Sequence, residues 1–403
     1  MKPQETTTPA YMGLAALMRL TFEGQDLAPV AARLIQRAQD DPRDADALMD
    51  LATTLELNFK PDIALATQAQ ALQMRSLYSL PTEGEPGLRL LSLMAPGDLT
   101  TNAPLAFLLE ESDVALDMLY VGAGVAPAAE LPEHDLLFVA IGESEATHAL
   151  LEELKPVIDD WPRPVLNPPE RIMRTSRDGA HALLHDVPGI AIPPSLRIER
   201  AELERLGRGE STVGDLLPGA DFPLIVRPVD SHAGHDLARL DAPRDIETYL
   251  AGLTETRFFL SPFIDYRDAD GLYRKYRMVL IGGRPYAGHM AISEHWMIHY
   301  LNAGMRESAA KRAEEARFME RFEEDFAQRH AAAIDAINQR LGLDYLVIDC
   351  AETATGELLV FEVDTGAVVH SMDPPDLFPY KLPAMRKVFG AFRALLDETA
   401  GAA

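Results

Sequence analysis

Cysteine is nearly absent from this 403-residue chain: Cys350 is the only one. That excludes an internal disulfide framework and any multi-cysteine zinc site, and it fits a reducing compartment. Set in an apolar run, Cys350 reads as a packing residue. Basic residues are also scarce. The chain has 37 Lys and Arg against 63 Asp and Glu, a formal net charge of −26, and its cations form no long run. Such a surface repels phosphate backbones, so nucleic acid is not an expected partner. No apolar stretch approaches the ~20 residues that a bilayer requires. The opening MKPQETTTPAYMGLAALMRL carries one lysine and no long apolar segment ending in a small-residue cleavage site. The expectation is a protein without a membrane span or secretion signal, placed in the cytoplasm.

What is present fits a globular protein: 47% hydrophobic and 25% charged residues, with no low-complexity segment. A chain of this length is expected to divide into two or three subdomains. A triphosphate or similar anion could bind so acidic a chain only where its few basic residues gather locally.

Three textures follow one another. Residues 1–82 form a helical region, with apolar positions at helical spacing in LAPVAARLIQRAQ and DADALMDLATTLELNFKPDIALATQAQALQM. Two or three amphipathic helices are expected, and the pair from Asp44 to Met74 resembles a single tetratricopeptide-like hairpin. One hairpin cannot build a solenoid, which needs about three stacked units, so docking on the rest of the protein or homodimer formation is the expected role. Residues 87–165 hold the short apolar runs LRLLSLM, DVALDMLYVG and HDLLFVAIG, which read as a small parallel β/α unit with helical stretches between strands. The loop APGDLTTNAP follows the first strand at the edge where open α/β sheets bind ligands, so Asp98, Thr101 and Asn102 are substrate candidates. Residues 166–403 mix strands (FPLIVRPV, TRFFLSPFI, YRMVLIGGRPYAGHM, YLVIDCAE, ELLVFEVD) with one long charged helix from Arg306 to Leu341. That mixture reads as an α+β domain with antiparallel sheets.

The strongest constellation is LGLDYLVIDCAETATGELLVFEVDTGA. Two β-rich runs, joined by a polar loop ending in glycine, read as a hairpin. Glu362 and Asp364 share a strand face, and Asp349 can face them from the neighbouring strand. Three such carboxylates repel unless a cation compensates, and oxygen ligands select magnesium or manganese. A second element is a strand ending in Arg227-Pro228, followed by a small-residue loop through Ser231 and Gly234 and a return strand; it can fold over a triphosphate. The third is LYRKYRMVLIGGRPY, with Gly282-Gly283 at the turn, Lys275 and Arg277 on one face and Arg274 on the other. It supplies the local basic cluster. GHMAISEHWMIHYLNAGM brings His289, His295, Trp296, His299, Tyr300 and Asn302 together as a candidate substrate or lid segment, and His370 is a further substrate candidate.

In their order these parts resemble the ATP-grasp superfamily of carboxylate-amine ligases, over roughly Leu88 to Phe392. The resemblance implies an ATP-grasp fold preceded by a Rossmann-like domain and by the helical region, with α/β and α+β parts. It also implies ATP and Mg2+ as cofactors, Mn2+ being an alternative. Asp349, Glu362 and Asp364 match the family's metal carboxylates, although aspartate stands where the family carries asparagine. Arg227 matches the lysine on the α and β phosphates, Ser231 to Gly234 the phosphate loop, and Pro262, Phe263 and Ile264 the adenine hinge. Asp265 would reach the ribose, and Arg174 or Arg177 would be a second phosphate ligand. Arg277 matches the arginine at the transferring phosphoryl group, and Lys275 stands where many members carry aspartate. The implied activity is ATP-dependent C–N bond formation through an acyl phosphate, joining a small carboxylate to an amine such as an amino acid or peptide. An ATP-grasp kinase and a non-catalytic nucleotide-binding scaffold are the alternatives.

Overall fold

The computed structural model describes residues 11–80, 82, 84–231 and 234–401. Residues 1–10 of the helical region, and His232 and Ala233 of the loop after Arg227, lie outside them. The chain divides into two compact units. One holds the described residues up to Gly142, together with Ala149–Ile172 and the segment from Thr365 on; the other holds Glu143–His148 and Met173–Asp364. The C-terminal helix Lys381–Gly401 therefore groups with the first unit, although the sequence texture attached it to the third region.

The first unit opens with four helices, Gly13–Phe22, Ala28–Asp40, Ala45–Leu57 and Pro61–Met74, rather than two or three. Local chemistry sets their ends. Asp44 caps the third by accepting the Ala47 N–H (2.9 Å), and Pro61 opens the fourth, where a missing N–H costs nothing. The last two form the expected helical hairpin. Asp50, from inside the third helix, accepts the Met12 and Gly13 N–H groups (2.8 and 2.9 Å) and so caps the first.

The sheet of this unit has the order β1-β3-β2-β4-β5, with β1 Leu77–Leu80, β2 Leu88–Met94, β3 Val114–Tyr120, β4 Leu136–Val139 and β5 Val165–Leu166. The pairs β2–β3, β2–β4 and β4–β5 are parallel, as the apolar runs imply. Leu136, Leu137, Phe138 and Val139 are wholly buried, as central parallel strands require. β1 is an antiparallel edge strand that the sequence pattern did not single out. The expected helices between strands are uneven: one helical turn, Leu105–Leu108, precedes β3, no helix lies between β3 and β4, and the helix Glu145–Asp159 lies between β4 and β5.

The second unit contains two sheets. One has the order β7-β10-β8-β9, and the other β12-β11-β13-β14-β6. Their strands are β6 Ile190–Ala191, β7 Leu196–Glu199, β8 Leu224–Pro228, β9 Ala238–Leu240, β10 Arg257–Pro262, β11 Tyr273–Ile281, β12 Arg284–Ser293, β13 Tyr345–Glu352 and β14 Leu358–Asp364. All pairs are antiparallel except β14–β6. The β11–β12 and β13–β14 hairpins form where the glycine turns place them, and Cys350 is buried in β13. The single long helix is corrected to three, Ala309–Arg321, Phe326–Arg329 and Ala331–Leu341. The first ends before Glu323-Glu324-Asp325, carboxylates that a helix C-terminus disfavours. Across the break, Phe318, Phe322 and Phe326 pack together with Tyr276. Among the described residues no helix is long and apolar enough to cross a membrane.

Candidate active site

Strand register in the second unit assembles most of the charged residues singled out above. β11 pairs with β13 so that Arg277 lies opposite Asp349, and β13 pairs with β14 so that Asp349 lies opposite Glu362. Alternation along β11 puts Lys275 beside Arg277, while Arg274 points the other way, to Asp268 and Asp270 (2.7 Å each). Arg277 grips Asp349 with two bonds, Nε to Oδ1 at 2.7 Å and Nη2 to Oδ2 at 2.9 Å, and the Lys275 Nζ adds a third at 2.6 Å. A Cβ placed on Gly288 would stand 2.9 Å from both the Cγ and the carbonyl oxygen of Arg277. Gly288 is the extra residue where the β11–β12 register shifts, and its lack of a side chain lets Arg277 lie across β12.

Burial alone would raise the Asp349 carboxyl, but Arg277 and Lys275 outweigh it and hold the group well below the ordinary carboxylate range. Burial works against the charge on Arg277 as well; Asp349, with Asp364 and Glu362, more than restores it. Glu362 follows the same logic. Its burial is offset by Arg177 and Arg227, and Arg177 Nη2 donates to its Oε1 at 2.7 Å. Both oxygens of Asp349 are taken by cations, and no three His, Cys, Asp or Glu residues converge as a metal-ligand set among the described residues. Side-chain cations compensate Asp349 and one oxygen of Glu362.

Arg227 differs from the rest. It ends β8, is 8% exposed, and makes no ion pair among the described residues. Its guanidinium donates only to the Ser231 hydroxyl (3.0 Å) and the Ser231 carbonyl. Burial, and then the neighbouring Arg177, pull it down to about 10, against the pull of Glu362. Four cations, Arg177, Arg227, Lys275 and Arg277, thus surround three carboxylates, leaving a surplus of positive charge in a strongly acidic chain. Arg174, the alternative to Arg177, instead donates to the Arg340 and Leu341 carbonyls (3.3 Å each) at a helix end.

The hinge residues Pro262, Phe263 and Ile264 are partly buried at the end of β10. Phe263 lies under the Arg239 guanidinium (4.3 Å) and edge-on to Trp296 (5.7 Å), an aromatic ledge that sequence reasoning missed because Arg239 is remote from both. Asp265 is exposed and already paired with Arg267 at 2.7 Å. Gly234 takes a positive φ of 75° in its loop.

The histidines separate. Burial, Lys275 and Arg277 lower the pKa of His299, opposed by Asp349, which places its ring within their electrostatic reach. His289 packs on Tyr300 (4.8 Å), and His295 is exposed. The wholly buried Glu315 holds this segment by accepting from the Tyr300 hydroxyl (2.8 Å) and the Met290 N–H (3.2 Å). It was hidden in a charged helix. The remaining candidates belong to the first unit. His370 packs between Phe22 and Phe107. Asn102 is buried, and its amide is spent on Ala95, 2.8 Å to N–H and to carbonyl. Asp98 is exposed and caps its own turn through the Thr100 N–H (2.8 Å) and hydroxyl (2.7 Å).

No family model matches the chain, and no curated protein matches it. Among solved structures it is similar to VanG D-Ala:D-Ser ligase from Enterococcus faecalis, at 15% identity over 77% of this chain and 99% of that one, with a TM-score of 0.46. D-alanine–D-alanine ligase from Bacillus anthracis, complexed with ATP, gives 13% over 78% and 97%, TM-score 0.44. D-alanyl-alanine synthetase A from Vibrio cholerae gives 11% over 79% and 100%, TM-score 0.47.

Proposed function

We propose that this chain is an ATP-dependent ligase that activates a carboxylate as an acyl phosphate and joins it to an amine, releasing ADP and phosphate. The observation that carries the reading is Arg227, a buried guanidinium without a carboxylate partner, set beside Arg177 in a cluster with surplus positive charge. Buried charge is costly unless paired, and an anionic phosphate supplies the missing partner with the geometry that arginine fits best.

In this reading Arg227 and Arg177 bind phosphate oxygens, and Ser231 to Gly234 form the loop above them. Phe263, between Arg239 and Trp296, offers a face for the base, flanked by Pro262 and Ile264. Asp349 acts as a positioning residue: it aims Arg277 and Lys275, and Arg277 offsets charge as the γ-phosphoryl group moves. The substrate carboxylate oxygen bonds to phosphorus as the bond to ADP breaks. The amine nitrogen then bonds to the acyl carbon, phosphate departs, and the nitrogen loses a proton. His299, kept neutral beside Lys275 and Arg277, is a candidate to accept that proton.

A magnesium ion needs only one or two carboxylates besides phosphate oxygens. Glu362, whose Oε2 accepts no hydrogen bond among the described residues, and Asp364 fit that role, and Asp349 does not. Bound there, the ion would neutralise charge on the β and γ phosphates.

ADP release from the purified protein, with ATP, magnesium and pools of amino acids and other carboxylates, tests the proposal. Release is expected only with particular pools, rising when an amine is supplied, and is expected to vanish in Glu362→Gln. A phosphorylated product without ligation would convert the reading to a kinase. ATP binding by calorimetry with no turnover in any pool would favour a scaffold, and no ATP binding would end the assignment.

A further inference from the structure

The helix Arg177–Leu184 opens with a residue of the phosphate cluster and closes on a pair of histidines that the proposed chemistry does not use. His181 and His185 are four apart, and His185 keeps helical dihedrals at the cap position (φ −63°, ψ −24°). Their side chains therefore lie one above the other on one helix face. The two rings stack, with centroids 5.1 Å apart and an interplanar angle of 30°.

Each ring commits one nitrogen to a backbone carbonyl. His181 Nδ1 stands 3.0 Å from the carbonyl oxygen of Ile192, just past β6, and His185 Nδ1 stands 3.1 Å from that of His181. A carbonyl oxygen only accepts, so both Nδ1 atoms are the donors. In the neutral ring Nε2 then holds the lone pair, and neither Nε2 has a hydrogen-bond partner among the described residues. Metal-binding histidines share this arrangement: one nitrogen donates to a carbonyl, which fixes tautomer and ring, and the other faces the ion. His181 is partly buried and His185 exposed, so an ion can reach the pair from solvent. It would meet the C-terminal end of the helix, where the dipole favours positive charge. Arg340 is already answered there, bonded to Asp186 and to the Leu183 carbonyl.

We propose that His181 and His185 bind a divalent transition-metal ion such as Zn2+ or Ni2+ through both Nε2 atoms, with water completing its shell. Their spacing is the one at which two helical histidines share a zinc ion. Neutral imidazole suits these ions, whereas Mg2+ and Ca2+ take oxygen ligands. With two protein ligands the site is open and exchangeable, unlike a closed structural zinc site. Neither nucleotide nor magnesium takes part, so the site stands or falls apart from the ligase reading.

Calorimetry on the intact chain without ATP, titrated with Zn2+ and with Ni2+, tests the proposal by the difference between wild type and variants. Wild type is expected to show a site with a Kd on the order of 10 μM that is missing from His181→Asn and from His185→Asn. Asparagine puts an amide N–H where Nδ1 stood, so each variant can keep its carbonyl bond while losing the lone pair. His185 is exposed, and its variant is expected to melt at the wild-type temperature. One ion held by both rings makes the losses non-additive, so the double variant should lose no more than either single one. Zn2+ should also raise the melting temperature of wild type above that of the variants, and Mg2+ at about 10 mM should not displace it. An unchanged site in either folded single variant, displacement by Mg2+, or no such site in wild type would each overturn the proposal.

Discussion

Asp50 in the first unit and Asp349 in the second are aspartates with little solvent exposure, 0% and 5%, and they are held by different kinds of partner. Asp50 has two backbone N–H donors and no salt bridge among the described residues; burial dominates and pushes its pKa up to about 6. Asp349 has two cationic side chains, which overcome its desolvation and pull it down. The contrast extends to neighbours: Glu56 shifts with Asp50, and Glu362 with Asp349. Desolvation acts on every buried acid, and the sign of the net shift depends on whether a full charge stands beside it. A buried acid with no cation bonded to it is prepared to take up a proton. A region with more bases than acids is prepared for anions.

The most severe way to break the contrast is Asp349→Asn, which takes from Arg277 and Lys275 the carboxylate that both are bonded to. A loss of about 3 kcal/mol is expected, read as a lower denaturant midpoint, and adding Lys275→Met should recover part of it. A wild-type midpoint in the single variant would show that water compensates the two cations. Next in size is Arg227→Met. It removes an unpaired buried charge, so the nucleotide-free protein should be at least as stable as wild type while ATP affinity falls by ten- to a hundredfold, roughly the worth of one charge-assisted contact. Unchanged affinity in calorimetry would remove Arg227 from the site. Gly288→Ala is smaller: the 2.9 Å approach to Arg277 forces a backbone shift costing about 1 to 2 kcal/mol. A wild-type melting temperature together with normal ATP binding would show that β12 yields without moving the guanidinium.

How far such pairings are legible in sequence depends on their range. The alternation that puts Lys275 and Arg277 on one face is local, and the structure keeps it. The hairpins at Gly282-Gly283 and at Gly356 also follow from a few adjacent residues. What could not be read was which acid each base would meet. Nothing near Asp349 shows that Arg277, over 70 positions upstream, would take both its oxygens, because strand register is fixed by the whole sheet. The partners of Asn102 and His370, Ala95 and Phe22, likewise emerge only on folding. The break after Arg321 escaped notice because charged residues there satisfy helical periodicity, and the aromatic cluster that bends the chain draws Tyr276 from another element.

The gentlest test uses pH. The folded-state pKa of Asp50, about 6, lies above its ordinary value, so the folded protein binds this proton more tightly than the unfolded chain does. Stability must then rise as pH falls from 7 through 6 and level off once the unfolded carboxyl also protonates near 4. The gain by pH 5 is about 1 kcal/mol. Asp349 and Glu362 contribute nothing to this slope, because their lowered pKa values keep them ionised in both states above pH 5. The groups acting on Asp50 besides the Met12 and Gly13 N–H groups are Asp46, Arg37 and Tyr11. His299, kept neutral by burial and by Lys275 and Arg277, works in the opposite sense, so the measurement is the difference between wild type and Asp50→Asn. The variant keeps an acceptor for one of the two N–H groups and has no carboxyl to titrate. Its denaturant midpoint should lack the rise between pH 7 and pH 5 that wild type shows; parallel profiles would mean that Asp50 is hydrated and that the two acids differ less than their partners suggest.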